Sequence, residues 1–228
     1  MGINMVEKID DAVKINHVLL SVSDKQGLDT FVPRLLQINP GIQFLSTGGT
    51  YQRLKEILGE KSFSCLKQVS EYTGQPETQG GLVKTLDFKI YLGLLTETYN
   101  DAHKGDLSRT NSMPIDMVVV NLYPFKETIA KADVTPEVAR GNIDIGGPCM
   151  IRASAKNFIR VASVVDPGDY GQIADGMAAG KGSIGLALRY RLARKAFAHT
   201  AAYDAAIAAY LADTAFAAVG KAYQLQNR

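Results

Sequence analysis

The sequence predicts an α/β protein in which a mostly parallel sheet is flanked by helices. Residues 17–23 and 43–46 are short apolar runs typical of buried strands. Each run is followed by a turn and by a segment with helical spacing, at 28–36 and 51–58. Residues 116–122 are the clearest apolar run, and a proline stops it soon afterwards. Because strands that alternate with helices pair in parallel through right-handed crossovers, this order predicts a parallel sheet covered by helices.

The same patterns predict the remaining elements and the domain organisation. We expect an N-terminal lead-in at 1–15 and a single domain at 16–228. The long helix expected at 186–211 carries its apolar residues on one stripe, which predicts that it packs in the core or against a partner. The further elements expected are strands at 63–69 and 159–165, loops at 71–81 and 100–112, helices at 135–140 and 150–156, a flexible segment at 176–185 and a long helix at 186–211.

Composition excludes several classes of protein. The chain has 228 residues, 46% of them hydrophobic and 21% charged, which is enough to bury a core. A net charge of +2 provides no strong field for nucleic acid or for a membrane surface. Cys65 and Cys149 are far apart and the three histidines are scattered, so no metal site is predicted. There is no signal peptide pattern and no run of membrane-spanning length, so we expect a cytoplasmic protein.

Two turns that follow predicted strands have the residues of a phosphate site. Residues 21–25, Ser-Val-Ser-Asp-Lys, offer hydroxyls, a lysine and the start of the next helix. Residues 47–50, Thr-Gly-Gly-Thr, offer hydroxyls and closely approachable backbone N–H groups. Each turn alone is equally consistent with an ordinary capped helix start. Both follow neighbouring parallel strands, and ligands bind beyond the carboxyl ends of such strands.

The most informative stretch is 142–157. Asp144 is followed by Gly146 and Gly147, which permit a sharp turn, and by Pro148, which suits the first turn of a helix. This order puts a carboxylate beside a helix N-terminus, and Lys156 follows at the end of that helix. An acid and an amine in one unit could move protons at a bound substrate. The alternative is a glycine turn with a solvated lysine.

Two further side chains are candidates because of where they occur. Lys84 lies in Gly-Leu-Val-Lys-Thr-Leu, and Tyr123 follows the clearest predicted strand at the edge where ligands bind. A solvated lysine and a packing tyrosine are the alternatives for these two positions.

Taken in order, these segments resemble the inosine monophosphate (IMP) cyclohydrolase domain. The resemblance covers residues 15–211, and in the usual purine-synthesis protein this domain precedes a formyltransferase domain. The segments that carry it include Ser-Thr-Gly-Gly-Thr at 46–50, Val-Val-Asn-Leu-Tyr-Pro-Phe at 119–125, Asn-Ile-Asp-Ile-Gly-Gly-Pro at 142–148, Arg-Ala-Ser-Ala-Lys-Asn at 152–157 and Lys-Ala-Phe-Ala-His-Thr-Ala-Ala-Tyr-Asp at 195–204.

The resemblance implies a methylglyoxal-synthase-like Rossmann variant and a specific reaction. The family cyclises the formamido-carboxamide ribotide FAICAR to IMP with loss of water, the last step of de novo purine biosynthesis. It requires no metal and no organic cofactor. The formyltransferase half is missing here, so the resemblance implies a stand-alone cyclohydrolase. The partners expected are therefore the nucleotides FAICAR and IMP, with a homodimer and functional coupling to a separate formyltransferase as further hypotheses.

The family's functional residues transfer by motif. The resemblance implies that Lys84 and Tyr123 lie near the reacting oxygen, that Asp144 takes or orients the amide proton, and that Lys156 donates and accepts protons. The binding positions it implies are Ser23, Asp24, Lys25, Thr47, Gly48, Gly49 and Thr50 for the phosphate and ribose, with Thr85, Val120, Asn121 and Ile145 nearer the base and the amide.

The chain departs from the family's pattern at 81–91. The family usually has Gly-Arg-Val-Lys-Thr-Leu-His-Pro-Lys-Ile-His, whereas this chain has Gly-Leu-Val-Lys-Thr-Leu-Asp-Phe-Lys-Ile-Tyr. Leu82 replaces an arginine that contacts the ligand, and Asp87 and Tyr91 replace two histidines. Because a leucine offers no bidentate donor, the departure bears on nucleotide affinity or on the identity of the ligand.

Two other functions stay open at this point. One is a non-catalytic domain of the same fold that binds a nucleotide or phosphate, which the three replacements favour. The other is a carbon–oxygen lyase acting on a triose phosphate, which would share the sheet and the phosphate turns. A binding module has no need for the acid and the amines, and a lyase would not explain the stretch at 142–157.

Overall fold

A five-stranded parallel sheet forms the centre of the protein. The structure, a computed structural model, describes residues 5–76, 78 and 83–226. The strands are β1 (Ala12–Lys14), β2 (His17–Val22), β3 (Gln43–Ser46), β4 (Leu66–Gln68), β5 (Met117–Asn121), β6 (Ala162–Val164) and β7 (Ser183–Gly185). In the central sheet the order is β4-β3-β2-β5-β6, and every neighbouring pair is parallel. Strands β1 and β7 form a separate antiparallel pair.

Helices cover both faces of this sheet, as the alternation of elements predicts. The helices described are α1 (Leu28–Ile38), α2 (Gly48–Leu58), α3 (Ser62–Cys65), α4 (Val69–Thr73), α5 (Phe88–Leu95), α6 (Asp101–Arg109), α7 (Phe125–Ile129), α8 (Pro136–Gly141), α9 (Gly146–Lys156), α10 (Tyr170–Ala179), α11 (Leu186–Asp213) and α12 (Phe216–Ala222).

Successive residues of the central strands point into two different apolar layers. On β2, Val18 and Leu20 pack with α1, α2 and α10, whereas Leu19 packs with α5, α9 and α11. This is the two-residue period of a strand, and both faces are buried because helices cover each of them. Helix α11 lies along the β6 edge and contributes Leu192 to one layer and Ala196 to the other. The α/β fold with a parallel sheet is confirmed.

The strand order creates a crevice at the carboxyl edge of the sheet. From β2 the chain passes through α1 to β3 and β4 on one side, and it later adds β5 and β6 on the other side. The connections that follow β2 and β5 therefore run in opposite directions. In open parallel sheets, ligands bind at this kind of switch point.

Several predicted elements are confirmed and others are wrong. The strands expected at 17–23, 43–46 and 116–122 are present as β2, β3 and β5, within one or two residues. The strand expected at 63–69 is shorter, because 62–65 forms the helical turn α3 and only Leu66–Gln68 pairs with β3. The loop expected at 71–81 begins with the end of α4, and residues 77 and 79–81 lie outside the described residues.

The loop expected at 100–112 contains helix α6. Asn100 caps this helix by accepting a hydrogen bond from the N–H of His103, at 3.2 Å. The pairs Asp101–Lys104 and Asp106–Arg109 lie three residues apart on its surface. None of its residues is buried, so it lacks the apolar stripe by which sequence patterns identify a helix.

The segment at 176–185 is also ordered rather than a flexible connection. It begins with the last turn of α10 and ends with β7, whose three residues pair with β1. Strand β1 lies within residues 1–15, which we expected to be a polar lead-in, and residues 1–4 are outside the described part of the chain. The pairing joins segments about 170 residues apart, so no local pattern reveals it.

Two buried arginines close the amino edge of the sheet. Arg189 of α11 is fully buried and donates hydrogen bonds to the backbone carbonyls of Asp10, Asp11, Phe158, Ile159 and Ile184. Arg160 pairs with Asp116 at 3.1 Å and also donates to the carbonyls of Gly93 and Thr96. Because the protein fills all five donors of Arg189 and bonds Arg160 through each of its three nitrogens, both guanidinium groups are structural.

Candidate active site

A cavity of about 810 Å³ opens at the carboxyl edge of the sheet, over the switch point between β2 and β5. The connections that follow β2, β3 and β5 line it, together with the turn before α9 and the first residues of that helix. Its lining residues are 21–23, 25, 47–50, 84–86, 121, 123, 140–141, 143–147 and 150.

The start of α2 forms the cationic end of this cavity. Gly48 has φ +48°, and a Cβ placed on it would lie 3.4 Å from Nζ of Lys84. A Cβ on Gly49 would lie 3.9 Å from Nζ of Lys25. Two ammonium groups therefore meet at a helix N-terminus, where the first N–H groups have no partner within the helix. This arrangement favours an anion with several oxygens, such as a phosphate.

The amide side chain of Asn121 organises the loop beside that helix start. Its Oδ1 accepts hydrogen bonds from the N–H groups of Ser23, at 2.6 Å, and Asp24, at 2.9 Å, and its Nδ2 donates to the carbonyl of Asp24 at 2.8 Å. The Thr50 hydroxyl accepts a hydrogen bond from the N–H of Val22 and donates one to the carbonyl of Val22, each at 3.0 Å. These two side chains line the cavity, but their polar atoms mainly hold its walls in place.

Asp144 also lines the cavity, two residues before the start of α9. Its Oδ1 accepts a hydrogen bond from the N–H of Gly147 at 2.8 Å. Burial raises the pKa of this carboxyl group above its ordinary value, although hydrogen bonds from the N–H groups of Gly147 and Tyr123 partly oppose the rise. A carboxylate with a raised pKa is a better proton acceptor, so it suits a general base.

Glycine at position 147 is needed for this arrangement. A Cβ there would lie 2.6 Å from a methyl carbon of Leu122 and 2.7 Å from Oδ2 of Asp144. The carboxylate can therefore lie over the first turn of α9 only if residue 147 has no side chain. Thr85 packs in the same way against the preceding glycine, since a Cβ on Gly146 would lie 2.8 Å from Oγ1 of Thr85.

Most of the predicted site residues meet in this cavity. Tyr123 and Ile145 line it with side chains that are 52% and 59% exposed, so both are accessible to a ligand. The predicted residues that line the cavity are Ser23, Lys25, Thr47, Gly48, Gly49, Thr50, Lys84, Thr85, Asn121, Tyr123, Asp144 and Ile145.

Three predicted residues are not brought to the cavity. The Asp24 carboxylate accepts the N–H of Gln26 in its own turn, and the Val120 side chain is buried in the apolar core. Lys156 is exposed at the far end of α9. At about 1.5 Å per residue, it is roughly 15 Å from Gly146 at the start of that helix. Asp144 and Lys156 are therefore close in the sequence but far apart in the structure.

Arg140 is a cavity residue that the sequence analysis did not identify. It lies on α8 and forms a two-point ion pair with Glu137, at 2.8 and 2.6 Å, to which Tyr223 also donates a hydrogen bond. It adds a third cation to the lining, beside Lys25 and Lys84. The signal available in the sequence was that Arg140 lies four residues before Asp144. However, an arginine three residues after a glutamate usually forms an ion pair with it on the surface of a helix.

Two of the three departures from the family's pattern have local structural roles. Asp87 caps α5 by accepting the N–H of Lys89 at 2.8 Å, and Tyr91 packs against the apolar layer under α9. Leu82 lies outside the described residues, as does Gly81. Of the three replacements, Leu82 is therefore the one whose effect on ligand binding most needs a test.

Neither a metal site nor a single spanning helix is found in the part of the chain that the structure describes. Among those residues, no group of three His, Cys, Asp or Glu side chains could hold a metal ion. No single helix there is long and apolar enough to cross a membrane, although α11 and α12, bent by 93° at their junction, pass that test together. The cytoplasmic location stays a prediction.

A parallel sheet with a cationic helix start and a half-buried carboxylate at its switch point is typical of the Rossmann-like class of ligand-binding domains. Comparison with protein families identifies which one. The chain belongs to the MGS-like domain family, whose model matches residues 28–149. The model described as AICARFT/IMPCHase bienzyme matches residues 154–228.

Individual relatives agree with this assignment. The chain is 49% identical over 202 residues to the bifunctional purine biosynthesis protein PurH of Synechococcus sp. (strain CC9902), and 47% identical over 197 residues to that of Bacillus subtilis (strain 168). The matches cover 89% and 86% of this chain but only 38% and 37% of the relatives, so the chain spans less than two fifths of their length. The chain resembles the corresponding part of PurH.

A solved structure also supports the fold, and its match with this chain covers most of both proteins. The crystal structure of ForH superposes with a TM-score of 0.74 at 31% identity, covering 85% of this chain and 95% of that one.

Proposed function

We propose that this domain cyclises FAICAR to IMP. The observation that carries the proposal is that one cavity combines a cationic helix start, with Lys25 and Lys84, and a half-buried carboxylate with a raised pKa, Asp144. The substrate has a phosphate at one end and an amide that must lose a proton at the other end. The PurH relatives, named as purine biosynthesis proteins, support the same reaction.

In the proposed reaction, the phosphate binds at the start of α2 and the base extends toward the turn before α9. The carboxamide nitrogen attacks the formyl carbon, so a carbon–nitrogen bond forms, and Asp144 accepts a proton from that nitrogen. The bond from that carbon to the former formyl oxygen then breaks, and the oxygen leaves as water with one proton from the carboxamide nitrogen and one from the former formamide nitrogen, which becomes doubly bonded to the carbon. Tyr123 is the group proposed to stabilise and protonate the leaving oxygen, and Lys84, which the resemblance also implies near that oxygen, is proposed to bind the phosphate. Holding the two reacting groups of one molecule together lowers the barrier further.

The proposal gives Lys156 no step at this cavity within a single chain, because its side chain is exposed at the other end of α9. The catalytic role implied by the family resemblance stays a separate prediction. The variant Lys156→Ala tests it. A fall in kcat of about 10²-fold or more would mean that the ammonium reaches a reacting group, as general acids and bases typically contribute that much. An unchanged kcat would remove Lys156 from the mechanism.

Partners form part of the proposal as well. FAICAR and IMP are the nucleotide ligands, and the proposed reaction uses no cofactor. A homodimer and functional coupling to a separate formyltransferase are further proposals, which measurements of molecular mass and of co-purification would test.

The test is a turnover assay with FAICAR, in which IMP formation is followed by absorbance. The matched controls are Asp144→Asn and Lys84→Met, with an enzyme-free blank because intramolecular cyclisation has a background rate. We expect product well above the blank for the natural chain and a large loss in both variants. Tight IMP binding without turnover would instead favour the non-catalytic nucleotide-binding domain, and turnover of a triose phosphate would favour a lyase.

A further inference from the structure

Tyr203 of α11 makes a direct contact with the turn that carries Asp144. Its hydroxyl accepts a hydrogen bond from the backbone N–H of Asp144 at 2.8 Å and donates one to the carbonyl of Asn142 at 3.3 Å. The side chain is only 8% exposed, so both bonds are shielded from water. The two residues that it joins to α11 are about sixty positions away in the sequence.

The Tyr203 ring is itself held in place. It meets the ring of Phe125 edge to face, with 6.1 Å between centroids, and it belongs to the apolar layer formed by α9 and α11. The hydroxyl therefore projects from a rigid element rather than from a loop. A hydrogen bond from a rigid, buried side chain limits how far a turn can move.

The turn between α8 and α9 has few other restraints near Asp144. The Asn142 side chain bonds back to Val138, and the carboxylate of Asp144 bonds forward to Gly147. Both contacts stay within the local chain, and the N–H of Tyr123 also donates a hydrogen bond to the Asp144 carboxylate. Within the described residues, the backbone N–H of Asp144 and the carbonyl of Asn142 are the groups of this turn that Tyr203 bonds to the distant helix α11.

We propose that Tyr203 is a positioning residue that fixes the backbone of Asp144 and thereby aims its carboxylate into the cavity. The inference rests on the function proposed above and deepens it, because it explains how a carboxylate on a turn keeps the geometry that proton transfer needs. A misplacement of about 1 Å at a reacting group lowers rates strongly. The long helix α11 thus contributes to the site without lining it.

The test compares Tyr203→Phe with a matched control, Tyr210→Phe. Tyr210 lies on the same helix and also meets the Phe125 ring edge to face, with 5.9 Å between centroids. Among the described residues, its hydroxyl makes no hydrogen bond to the turn before α9. Both variants keep their rings, so both should fold. We expect kcat to fall about 10-fold in Tyr203→Phe, with KM little changed, and to stay at the natural value in Tyr210→Phe.

A double-mutant cycle distinguishes positioning from general stability. If Tyr203 acts through Asp144, then Tyr203→Phe will cost nothing further in the Asp144→Asn background. A 10-fold cost that persists in that background would overturn the proposal, because it would not depend on the carboxylate. An unchanged kcat in Tyr203→Phe alone would overturn it as well.

A substrate-free readout separates this proposal from the proposed function. The titration of the Asp144 carboxyl is followed by NMR in the natural chain and in both tyrosine variants. We expect its pKa to fall toward the ordinary aspartate value only in Tyr203→Phe, because a freed turn admits water to the carboxyl. If the natural chain fails to turn over FAICAR, the proposed function fails, and this titration alone supports or overturns the positioning role.

Discussion

The two edges of the sheet both carry cations, but their surroundings differ. At the amino edge, Arg160 and Arg189 are buried and bonded to carbonyls or to Asp116. At the carboxyl edge, Lys25 and Lys84 are exposed beside the start of α2. Lys25 bonds the carbonyl of Ser23 in its own loop at 3.3 Å, and within the described residues no hydrogen bond is found for the Lys84 ammonium.

The difference separates structural charge from functional charge. A buried guanidinium whose donors are filled stabilises the fold only while all its partners are present. An exposed ammonium beside unpaired helix N–H groups contributes little to stability, and it can bind an anion. Substitutions at the carboxyl edge should therefore change function at nearly constant stability, and those at the amino edge should do the opposite.

The largest effect on function is expected at Asp144. Replacing it with Asn removes the proposed base but keeps an acceptor for the N–H of Gly147. We expect kcat for IMP formation to fall by about 10³-fold. For the natural chain, kcat should also fall as pH is lowered through the pKa of Asp144, which lies above the ordinary value. Turnover of the Asn variant within tenfold of the natural chain would exclude Asp144 as the base.

The same variant has a predictable effect on stability. The pKa of Asp144 is higher in the folded chain than in the unfolded chain, so the folded state binds protons more strongly at this group. Its favourable contribution is therefore complete below the unfolded pKa and is lost as pH rises through the folded pKa. Thermal melts should show Asp144→Asn to be more stable than the natural chain at pH 8, with the gain disappearing near pH 4. A lower Tm at pH 8 would contradict this sign.

The largest effect on stability is expected at Arg189. Changing it to Met leaves the carbonyls of five residues without their buried donor. We expect the free energy of unfolding to fall by about 4 kcal/mol. Urea unfolding at equilibrium measures this loss. The control is Arg34→Met, which removes an exposed pair with Asp175 and should cost about 1 kcal/mol or less. Equal losses in the two variants would contradict the distinction between the edges.

An intermediate effect is expected at Lys25. The change Lys25→Met removes one of the two ammonium groups beside Gly48 and Gly49. We expect the Kd for IMP to rise about tenfold, because one charge-assisted contact to the phosphate is lost. Calorimetry with inosine, which lacks the phosphate, provides the matched comparison and should show no change. A similar loss for both ligands would mean that Lys25 does not bind the phosphate.

The smallest effect is expected at Leu82. Restoring the arginine usual in the family, Leu82→Arg, adds a cation two positions before Lys84, which lines the cavity together with Lys25 and Arg140. We expect the Kd for IMP to fall about fivefold, since a guanidinium can bind a phosphate through two donors. Calorimetry at low and high salt measures the change. Unchanged or weaker binding would mean that the pocket has adapted to leucine, for instance through Arg140.

Local patterns were sufficient for much of this protein. Runs of apolar residues separated by glycine-rich turns predicted β2, β3 and β5, because a strand covered on both faces must be apolar throughout. The turns at 21–25 and 47–50 were predicted to lie at one ligand site and both line the cavity, since the residue types that open a helix at a strand end are encoded within a few positions. The same holds for Asp144, which the glycines beside it place at the start of α9.

Those local patterns could not predict contacts between distant segments of the chain. Strand β1 pairs with β7, Tyr203 bonds the turn of Asp144, and Arg189 joins five carbonyls from three parts of the chain. Lys156, close to Asp144 in sequence, lies at the other end of a straight helix. Periodicity records which face of an element is apolar, whereas the distance between two side chains depends on how the elements pack. Most of the polar residues that line the cavity were therefore predictable one by one, whereas Arg140 was not, and the packing of the elements on the sheet decided which residues meet.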